Sequence, residues 1–347
     1  MILFSVIIPI YNTPEEYLRK CIKSCICQGT DDLEVLLIDD GSEKYCMDIC
    51  TEFAEKYPFI SYRRQDNQGV SVARNAGLSA AVGEYIVFLD ADDWLPDGFL
   101  SEIIDLIPGD RPDMLLYGYC SEYSNKHFER LPSFDAKTPQ NGRRFIGSIL
   151  GRNNDFASYD VGTIWAKLIK RDLIADNGIR FIEGVKKGQD TVFMLYCYNH
   201  CSSIRCAGMI GYHYRKNNGS VTHKFNPDIV NINENLIRRY DEFLEYSGRT
   251  EEKKAVLAGI RFRMLVGEYM ALYFCHRDNP RSRSDLQKEY LELISKDPYK
   301  DAVSFAEASG LYQKINLKAL KKGRIKRVFL YRRIKDLLSR FVIREYD

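Results

Sequence analysis

The sequence lacks the signals that mark membrane-spanning, nucleic-acid-binding and disulfide-rich proteins. It has no uninterrupted apolar run of about 18 residues, so it predicts no spanning helix. The 50 Lys and Arg nearly balance the 48 Asp and Glu, and a formal charge of +2 gives no global reason to expect a nucleic-acid partner. The start of the chain reads as a strand rather than as a signal peptide. We therefore expect the ten cysteines to be reduced thiols in a cytosol.

Three common binding motifs are also absent. No G-x-G-x-x-G follows the first apolar run, which argues against a nicotinamide-binding fold. No G-x-x-x-x-G-K-[ST] occurs, which argues against a P-loop NTPase. Two predicted helices carry the cysteines at positions 21, 25, 27, 46 and 50, but not with the C-x-x-C spacing of a zinc site, so we expect buried apolar thiols there.

The composition and the apolar pattern predict an α/β fold. Hydrophobic residues make up 45% and charged residues 28%, which excludes wholesale disorder. Short apolar runs predict buried strands at Phe4–Ile10, Leu33–Asp39, Tyr85–Asp90 and Asp113–Tyr119. Helical patterns lie between them at Glu15–Cys27, Lys44–Tyr57 and Ser71–Ala81. This alternation favours a mainly parallel sheet flanked by helices, whose ligands bind beyond the carboxyl ends of the strands.

The character of the chain changes in its last third. Gln189–Asn199 predicts a helix, and Ile204–Arg215 predicts two short strands with turns at Gly208 and Gly211. After residue 225 the periodicity is helical almost throughout. We therefore expect an α/β domain over residues 1–225 and a helical region over residues 226–347.

The end of the chain is strongly basic. Leu311–Asp347 contains 12 Lys and Arg against 3 Asp and Glu. Within it, Lys318–Arg344 interleaves basic with aliphatic and aromatic residues, as in an amphipathic helix that lies on an anionic membrane surface. The alternative is a helix that packs on its own domain and exposes its basic face to solvent.

Candidate ligand-binding residues follow the first predicted strand. Tyr11 could stack on a planar base and Asn12 could hydrogen-bond to it, with Pro9 shaping the strand end. The same residues also suit a plain loop that leads through Thr13-Pro14 into the next helix.

The second strand ends in two adjacent carboxylates, Asp39 and Asp40. One can cap the following helix, and the other can accept hydrogen bonds from a ribose hydroxyl or a base imide, although capping alone also explains them. Farther along, Arg74 lies in Asn67–Gly77, a segment whose glycines permit close backbone approach. Arg74 could meet a phosphate or a carboxylate of a ligand, could bridge to acidic residues nearby, or could do both.

Three carboxylates follow the strand that contains Phe88. Asp90, Asp92 and Asp93 lie within four residues, and their mutual repulsion would be costly without a cation. Mg²⁺ and Mn²⁺ take carboxylate oxygens and keep sites for substrate phosphates, so the segment suits a metal-bound diphosphate. An acidic turn without metal is the alternative.

Together these segments resemble the nucleotide-sugar glycosyltransferases of family 2, which have the GT-A fold. The resemblance rests on S-V-I-I-P-I-Y-N at Ser5–Asn12, I-D-D-G-S at Ile38–Ser42, N-x-G-x-S-x-A-R-N-x-G at Asn67–Gly77, and F-L-D-A-D-D at Phe88–Asp93. It covers about the first 100 residues, with weaker similarity to residue 222. It implies a nucleotide-binding half over residues 1–110 and an acceptor half over residues 111–225.

The resemblance also implies roles for individual residues. The nucleotide would be bound by Pro9, Tyr11, Asn12, Asp39, Asp40, Arg74, Asp90 and Ala91. Asp92 would be the main ligand of Mn²⁺ or Mg²⁺, which neutralises the leaving diphosphate, and Asp93 would face the sugar or acceptor. The family's base is usually the second acid of a Gly-Glu-Asp segment. Here Gln189 replaces the first acid, and Asp190 remains as base, with helix capping as its alternative role.

Further family-like segments lie in the acceptor half. Trp165, in W-x-K-L-x-x-R, could form the floor of a sugar pocket or belong to the core. Tyr212–Arg215 and Gly219–Thr222 resemble a closing loop in which Arg215 or Lys216 could cover the diphosphate. His213 or His223 could complete the metal shell, although a lone histidine is more often structural.

The resemblance implies an inverting, metal-dependent transferase that moves a sugar from a nucleotide donor, most simply a UDP-sugar, to a hydroxyl. The acceptor would be a glycan or a lipid-linked oligosaccharide of bacterial surface polysaccharide, and the protein would lie on the inner face of the plasma membrane. Two rivals remain open. One is transfer to a polyprenyl phosphate, which needs no base because the phosphate is already ionised. The other is nucleotide-sugar binding without catalysis.

Overall fold

The structure, a computed structural model, describes residues 2–107, 109–132, 134, 140–151, 159–216, 224–308 and 310–346, with side chains to residue 338. The chain divides into two compact units. The first comprises Met1–Ile149 and Asn153–Lys216, and the second comprises Leu150–Arg152 and Asn217–Asp347. The predicted closing segment at 219–222 and His223 lie outside the described residues.

The first unit is built on one mixed sheet. Its described strands are β1 (Phe4–Ile10), β2 (Leu33–Asp40), β3 (Ile60–Gln65), β4 (Tyr85–Phe88), β5 (Met114–Glu122), β6 (His127–Arg130), β7 (Lys167–Lys170) and β8 (Ile204–Arg215). The strand order is β3-β2-β1-β4-β7-β5-β6, and β8 pairs with β5. Strands β1 to β4 pair in parallel, as do β5 and β8, whereas β7 and β6 run antiparallel to their neighbours. The predicted α/β fold with a mainly parallel sheet is confirmed.

Helices flank this sheet. They are α1 (Glu15–Ile26), α2 (Lys44–Lys56), α3 (Val70–Ala80), α4 (Phe99–Ile104), α5 (Arg143–Ile149), α6 (Arg171–Asp176) and α7 (Gln189–His200). Helix α1 begins directly after Pro14 and carries Glu15 and Glu16 in its first turn and Lys23 in its last. These charges complement the helix dipole, which favours anions at the N-terminus and cations at the C-terminus.

Strand β1 lies at the centre of the parallel half, between β2 and β4. Six of its seven residues are buried, which explains why this strand reads as a continuous apolar run rather than an alternating one. Helix α3 approaches β1 very closely at Gly77, where a Cβ atom would lie 2.4 Å from Ile7 Cγ2. The last glycine of the Asn67–Gly77 segment is therefore required by packing.

The sheet differs from the expectation in several places, among them β8 and β3. Residues 204–215 form one strand, β8, rather than two. The pairing register between β5 and β8 shifts on both sides of Gly118, so β8 continues past Gly208 and Gly211 without a turn. Gly211 is needed for packing rather than for a turn, since a Cβ atom there would lie 2.2 Å from the Phe99 ring. The sequence does not predict β3, because this edge strand is largely polar and only Ile60 is fully buried.

The second unit is helical, as predicted. It contains α8 (Ile229–Tyr246), α9 (Lys253–Val266), a π-helical segment (Met270–Phe274), α10 (Arg283–Ser295), α11 (Tyr299–Phe305), α12 (Leu311–Lys321) and α13 (Ile325–Tyr346). Its core includes the rings of Phe262, Tyr269, Phe274, Tyr290 and Phe329. In the part of the chain that the structure describes, no helix combines the length and apolarity needed to cross a membrane.

The basic end of the chain forms two helices instead of the single helix predicted over residues 318–344. Helix α12 ends at Lys321, and Gly323 adopts a φ of +63°, a left-handed conformation that commonly ends helices. In α13, Val328 and Phe329 are buried in the core of the second unit. The same helix exposes Leu330, Ile334, Leu337 and Leu338 on its opposite side. One face of α13 therefore packs on its own unit, and the opposite face exposes apolar side chains.

Candidate active site

Asn12 joins the loops that follow β1 and β2. Its backbone N–H donates to Ser42 Oγ at 3.1 Å, and its Oδ1 accepts a hydrogen bond from the Glu43 N–H at 2.7 Å. Its φ of +49° is one that asparagine tolerates better than most residues. Tyr11 beside it is 55% exposed. The Asn12 amide thus shapes the strand-end loop, whereas the Tyr11 ring is available to stack on a base.

Asp39, at the end of β2, is fully buried and accepts three hydrogen bonds. Its Oδ1 accepts from the Ser42 N–H at 2.8 Å, and its Oδ2 accepts from Tyr62 at 2.8 Å and Arg64 at 2.6 Å. Burial by itself would raise the pKa of this carboxyl, but the hydrogen bonds outweigh burial and the pKa is lowered. Asp39 is therefore ionised near neutral pH, and a nucleotide that contacts it would share the carboxylate with Tyr62 and Arg64.

Asp40 holds the loop that leads into α3. Its carboxylate accepts hydrogen bonds from the backbone N–H groups of Gln68 at 2.9 Å and Gly69 at 2.8 Å, and from Gln65 Nε2 at 2.8 Å. The side chain is buried. Asp40 therefore orients the start of α3, and with it Arg74, one turn farther along. Pro9, in β1 opposite Ile38, helps to form the adjoining strand ends.

Arg74 bridges two carboxylates that are 100 residues apart in the chain. Its Nη1 donates to Asp190 Oδ1 at 2.6 Å, and its Nη2 donates to Asp90 Oδ1 at 2.9 Å. The Arg74 side chain is only 5% exposed, and its guanidinium lies 5.3 Å from the centre of the Phe181 ring. The bridging alternative for Arg74 is thus what the structure shows. The bridge brings the candidate base Asp190 to the acidic loop, which we define as residues 90–93.

Asp190 lies in the first turn of α7, after Gly188 in a left-handed conformation. Burial raises the pKa of its carboxyl, Arg74 lowers it, and the Asp90 charge raises it again, with a net rise. A carboxylate with a raised pKa is a better proton acceptor than an ordinary aspartate. The adjacent Gln189 has a buried Oε1 with no hydrogen-bond partner among the described residues. A bound substrate hydroxyl could supply that partner.

Of the three carboxylates in the acidic loop, Asp93 is buried, whereas Asp90 and Asp92 are partly exposed. Asp93 is 1% exposed, and its oxygens accept hydrogen bonds from the Tyr212 hydroxyl at 2.6 Å and the Arg215 N–H at 2.7 Å. Burial, followed by the charges of Asp90 and Asp92, raises the pKa of Asp93 well above its usual range. Asp93 therefore fastens this loop to β8, and both its oxygens are already engaged. Ala91 is buried between the acids.

Asp92 and Asp90 offer the donor set of a hard divalent cation. Burial raises the pKa of Asp92 and the Asp90 charge raises it further, while Arg215 offsets this only in part. Such a cluster of carboxylate oxygens gains most from a cation such as Mg²⁺ or Mn²⁺, which coordinates oxygen and leaves sites for phosphate. The residues present therefore fit the predicted metal ion.

Arg215 is fixed beside this loop. Its Nε donates to the backbone oxygen of Asp92 at 2.8 Å, and its guanidinium lies 3.9 Å from the centre of the Tyr17 ring and 4.9 Å from that of Trp94. The guanidinium is therefore held by α1 and the acidic loop together. This fixed position places a permanent positive charge near Asp92.

Trp165 belongs to the core and also lines a cavity. It is 6% exposed and stacks with Tyr212 at 5.0 Å and with Tyr214 at 5.3 Å between ring centres. It also lines a cavity of about 410 Å³ together with Tyr159, Asp160, Tyr214, Arg130 and Lys216. An aromatic floor with charged and hydroxyl groups around it suits a sugar ring. Because Tyr212 also bonds to Asp93, the cavity connects to the acidic loop through one aromatic stack.

The structure does not bring His213 into contact with the acidic loop carboxylates. The residues of β8 alternate between the two faces of the sheet, so His213 faces away from Tyr212 and Asp93. Its ring stacks on Trp94, and its Nδ1 lies 2.7 Å from Glu122 Oε1. The His213 side chain therefore contacts Trp94 and Glu122.

Sequence reasoning missed several residues that hold the site together. Tyr62 and Arg64 lie on the unpredicted strand β3, and no sequence signal indicates that they reach Asp39. Lys167 lies within the W-x-K motif but is fully buried, and burial lowers its pKa to about 7. Its Nζ donates to three oxygens: the backbone oxygens of Asp160 and Trp165 and the Thr163 hydroxyl. The W-x-K motif is the sequence signal that could have identified Lys167. The hydrogen bonds of Lys167 connect residues 160, 163 and 165 in the loop beside the cavity.

Comparisons with known proteins bear on the family of the chain. The model of glycosyl transferase family 2 matches residues 5–176, which include the strand-end loops, Arg74 and the acidic loop. The chain is 32% identical over 212 residues to the cholesterol galactosyltransferase of Borreliella burgdorferi, covering 58% of this chain and 56% of that protein. It is 31% identical over 258 residues to the minor teichoic acid biosynthesis protein GgaB of Bacillus subtilis, covering 67% of this chain and 26% of that protein.

A solved structure shows the same fold. The crystal structure of residues 1–349 of TarS from S. aureus, in complex with UDP-GlcNAc, superimposes with a TM-score of 0.63 at 18% identity. The match covers 96% of this chain and 92% of that one. The four motifs, the GT-A sheet and these relatives lead to one conclusion: the chain belongs to glycosyltransferase family 2 and is a glycosyltransferase.

Proposed function

We propose that this glycosyltransferase is an inverting, metal-dependent enzyme that transfers a sugar from a UDP-sugar to a hydroxyl of a glycan or lipid-linked oligosaccharide. The observation that carries the proposal is the Asp90–Arg74–Asp190 bridge, which holds a proton acceptor beside a metal-compatible acidic loop. We assign residues 1–110 to donor binding and residues 111–225 to acceptor binding.

Asp190 acts as the base in a single displacement. The acceptor hydroxyl oxygen forms a bond to the anomeric carbon while the bond from that carbon to the diphosphate breaks on the opposite face. The hydroxyl proton passes to the Asp190 carboxylate, and the nucleoside diphosphate leaves with the bonding electron pair. Its raised pKa lets Asp190 accept the proton as the bond forms, and Arg74 keeps the carboxylate oriented.

The acidic loop and its neighbours bind the diphosphate end of the donor. Asp92, with Asp90 nearby, would hold Mn²⁺ or Mg²⁺, which would supply Lewis-acid neutralisation of the diphosphate. Arg215 adds a fixed positive charge on the same loop. Asp93 keeps this loop in place through Tyr212, so the charges that meet the leaving group are already oriented before the donor binds.

A uridine donor is supported by the strand-end loops and by a structural neighbour. Tyr11 is exposed beside Asn12, and the ionised Asp39 lies below them, an arrangement that suits a stacked base or ribose with hydrogen-bonding hydroxyls. TarS, which has the same fold, binds UDP-GlcNAc in its crystal structure. We therefore place the nucleoside between β1, β2 and α3.

The acceptor belongs to bacterial surface polymer synthesis. One relative is named a cholesterol galactosyltransferase, and another is named a minor teichoic acid biosynthesis protein. In this chain the cavity floored by Trp165 supplies aromatic and charged groups next to the aromatic stack that reaches Asp93. We propose that the acceptor sugar occupies this cavity.

We propose that helix α13 binds the inner face of the plasma membrane. We define its apolar row as Leu330, Ile334, Leu337 and Leu338, which lie on one side of the helix and are 44% to 59% exposed. Exposed basic residues flank the row at positions 326, 333 and 335, and the exposed Arg327 lies at its N-terminal end. An exposed apolar row with basic borders suits binding to anionic lipid, which would bring the enzyme to a lipid-linked acceptor.

A donor-hydrolysis screen tests the proposal. The purified protein and its Asp92→Ala variant are incubated with UDP-, GDP- and CMP-sugars, with and without Mn²⁺, and released nucleotide is measured. We expect metal-dependent release from a UDP-sugar that the variant loses. Release from a GDP- or CMP-sugar instead would contradict the uridine assignment, and equal release without metal would contradict metal dependence. Metal-dependent UDP binding without any turnover, in the presence of an acceptor extract, would favour the binding-protein rival.

A further inference from the structure

Three metal-ligating side chains meet on one face of the β5–β8 pair, away from the acidic loop. Cys120 and Glu122 are two residues apart on β5 and so point to the same side. His213 is the register partner of Cys120 on β8. A sulfur, a carboxylate oxygen and a ring nitrogen from these residues all lie within 4.8 Å of one another. One cation could contact all three after small side-chain rotations.

Neighbouring contacts already orient this group. The His213 ring stacks on Trp94, with 4.9 Å between ring centres and 5° between planes. His213 Nδ1 lies 2.7 Å from Glu122 Oε1. Cys120 is 3% exposed, whereas the side chains of His213 and Glu122 are 24% and 25% exposed. The group thus has a buried thiol and an open side through which a cation can enter.

We propose that Cys120, Glu122 and His213 bind a zinc ion at a site separate from the catalytic acidic loop. Sulfur, imidazole nitrogen and carboxylate oxygen form a typical donor set for Zn²⁺, whereas Mg²⁺ and Mn²⁺ prefer oxygen. On binding, the Cys120 thiol releases its proton to solvent, and the imidazole turns its nitrogen from Glu122 to the metal. The thiolate and the carboxylate then balance the charge of Zn²⁺, and water supplies a fourth ligand.

The proposed zinc site shares its strands, but not its side chains, with the active site. Tyr212 bonds to Asp93 on one face of β8, and His213 faces the other. Two cations, Lys20 and Arg215, lie 3.1 Å and 4.9 Å from the centre of the Trp94 ring, and a zinc ion neutralised by its two anionic ligands would not repel them. Zinc would link β5 to β8 and stabilise the folded chain by mass action.

Cobalt and zinc titrations of the full, reduced chain test this proposal. Four-coordinate Co²⁺ on a thiolate gives a near-ultraviolet charge-transfer band and visible bands that octahedral Co²⁺ on oxygen ligands lacks. We expect these bands to saturate at one Co²⁺ per chain and to disappear when Zn²⁺ is added. We also expect Zn²⁺ to raise the melting temperature.

Variants assign the bands to the proposed ligands. We expect Cys120→Ser to abolish the charge-transfer band and Glu122→Gln to weaken Co²⁺ binding at least roughly tenfold. The matched control Cys27→Ser, which changes an exposed thiol, must keep the bands, and so must Asp92→Asn in the acidic loop. Wild-type protein without saturable four-coordinate Co²⁺ binding would overturn the proposal. Bands that survive Glu122→Gln unchanged, or bands that vanish in Cys27→Ser, would also overturn it. These two measurements stay informative even if Cys120→Ser does not fold.

Discussion

Arg74 in α3 donates a hydrogen bond of 2.6 Å to Asp190 in α7, although α7 begins more than 100 residues later in the chain. The same guanidinium holds Asp90 of the acidic loop at 2.9 Å. Because it is buried and paired on two sides, Arg74 sets both the position and the charge environment of the candidate base. We therefore treat Arg74 as a positioning residue for Asp190, in addition to any contact that it makes with the donor.

Replacing Arg74 should shift the acid limb of the pH–activity profile. A base must be deprotonated to act, and Arg74 lowers the pKa of Asp190 against the effects of burial and Asp90. In Arg74→Gln the pKa rises further, so we expect the acid limb to move to higher pH and activity below it to fall roughly tenfold or more. The measurement is kcat against pH. The control is Arg19→Gln, which removes a partly exposed arginine that pairs with Glu15 and Glu52. An acid limb that does not move in Arg74→Gln would exclude this role.

Replacing Asp190 should separate transfer from donor binding. We expect Asp190→Asn to lower transfer to a hydroxyl acceptor by about 10² to 10⁴-fold while UDP-sugar affinity stays within a few-fold. Titration calorimetry and product formation measure the two effects. Asp172→Asn, an exposed aspartate on α6, should change neither. Nearly intact transfer in Asp190→Asn would instead favour a polyprenyl phosphate acceptor, which needs no base.

The Tyr212 hydroxyl should stabilise the acidic loop. In Tyr212→Phe, Asp93 loses a 2.6 Å hydrogen bond inside a site that is 1% exposed, and such a loss costs about 1 to 3 kcal/mol of unfolding free energy. We expect a lower midpoint in urea together with weaker Mn²⁺ dependence of donor hydrolysis. Tyr123→Phe removes a hydroxyl from a tyrosine that is 48% exposed and should leave the midpoint unchanged. Equal midpoints for the two variants would show that the Tyr212–Asp93 bond contributes little.

The apolar row of α13 should carry membrane binding. Deleting the end of the chain is a poor test, because it would also remove Val328 and Phe329 from the core of the second unit. The double variant Ile334→Glu, Leu337→Glu changes only exposed positions, and we expect it to lose most sedimentation with phosphatidylglycerol vesicles while donor hydrolysis persists.

The matched control for the apolar row of α13 places two glutamates on another surface of the protein. Val82→Glu, Leu106→Glu also changes two exposed apolar residues, and it should still bind the vesicles. Wild-type protein that binds neutral phosphatidylcholine vesicles equally well would rule out the electrostatic part of the proposal. Unchanged binding by the α13 variant would assign any membrane contact to another surface.

Gly77 should be needed for stability rather than for chemistry. A Cβ atom at this position would lie 2.4 Å from Ile7 Cγ2, so Gly77→Ala must displace α3 from β1. We expect a loss of about 1 to 3 kcal/mol of unfolding free energy, typical of overpacked cores. Gly208→Ala provides the control, because a Cβ atom there meets nothing within 4 Å. Equal melting curves for both variants would contradict the packing argument.

Local patterns sufficed for much of the fold. The run Phe4–Ile10 predicts β1 with the same bounds as the structure, because a strand buried on both faces must be apolar at every position. Strand β3 could not be predicted in this way, because it lies at the sheet edge, where most of its side chains contact solvent and need not be apolar. The division of the chain's end into α12 and α13 was not predicted either, because it depends on the left-handed conformation of Gly323.

By itself, the sequence determined the family, the α/β fold and the order of the polar residues at the strand ends, because these follow from short-range patterns and motif spacing. Only the tertiary structure decided which charges meet. Arg74 could have faced a phosphate or a carboxylate, and folding placed it between Asp90 and Asp190. His213 could have faced the acidic loop, and the alternation of β8 turned it to Glu122 instead. Such pairings join residues 16 to 116 positions apart, and they depend on strand register and helix packing that no local pattern encodes.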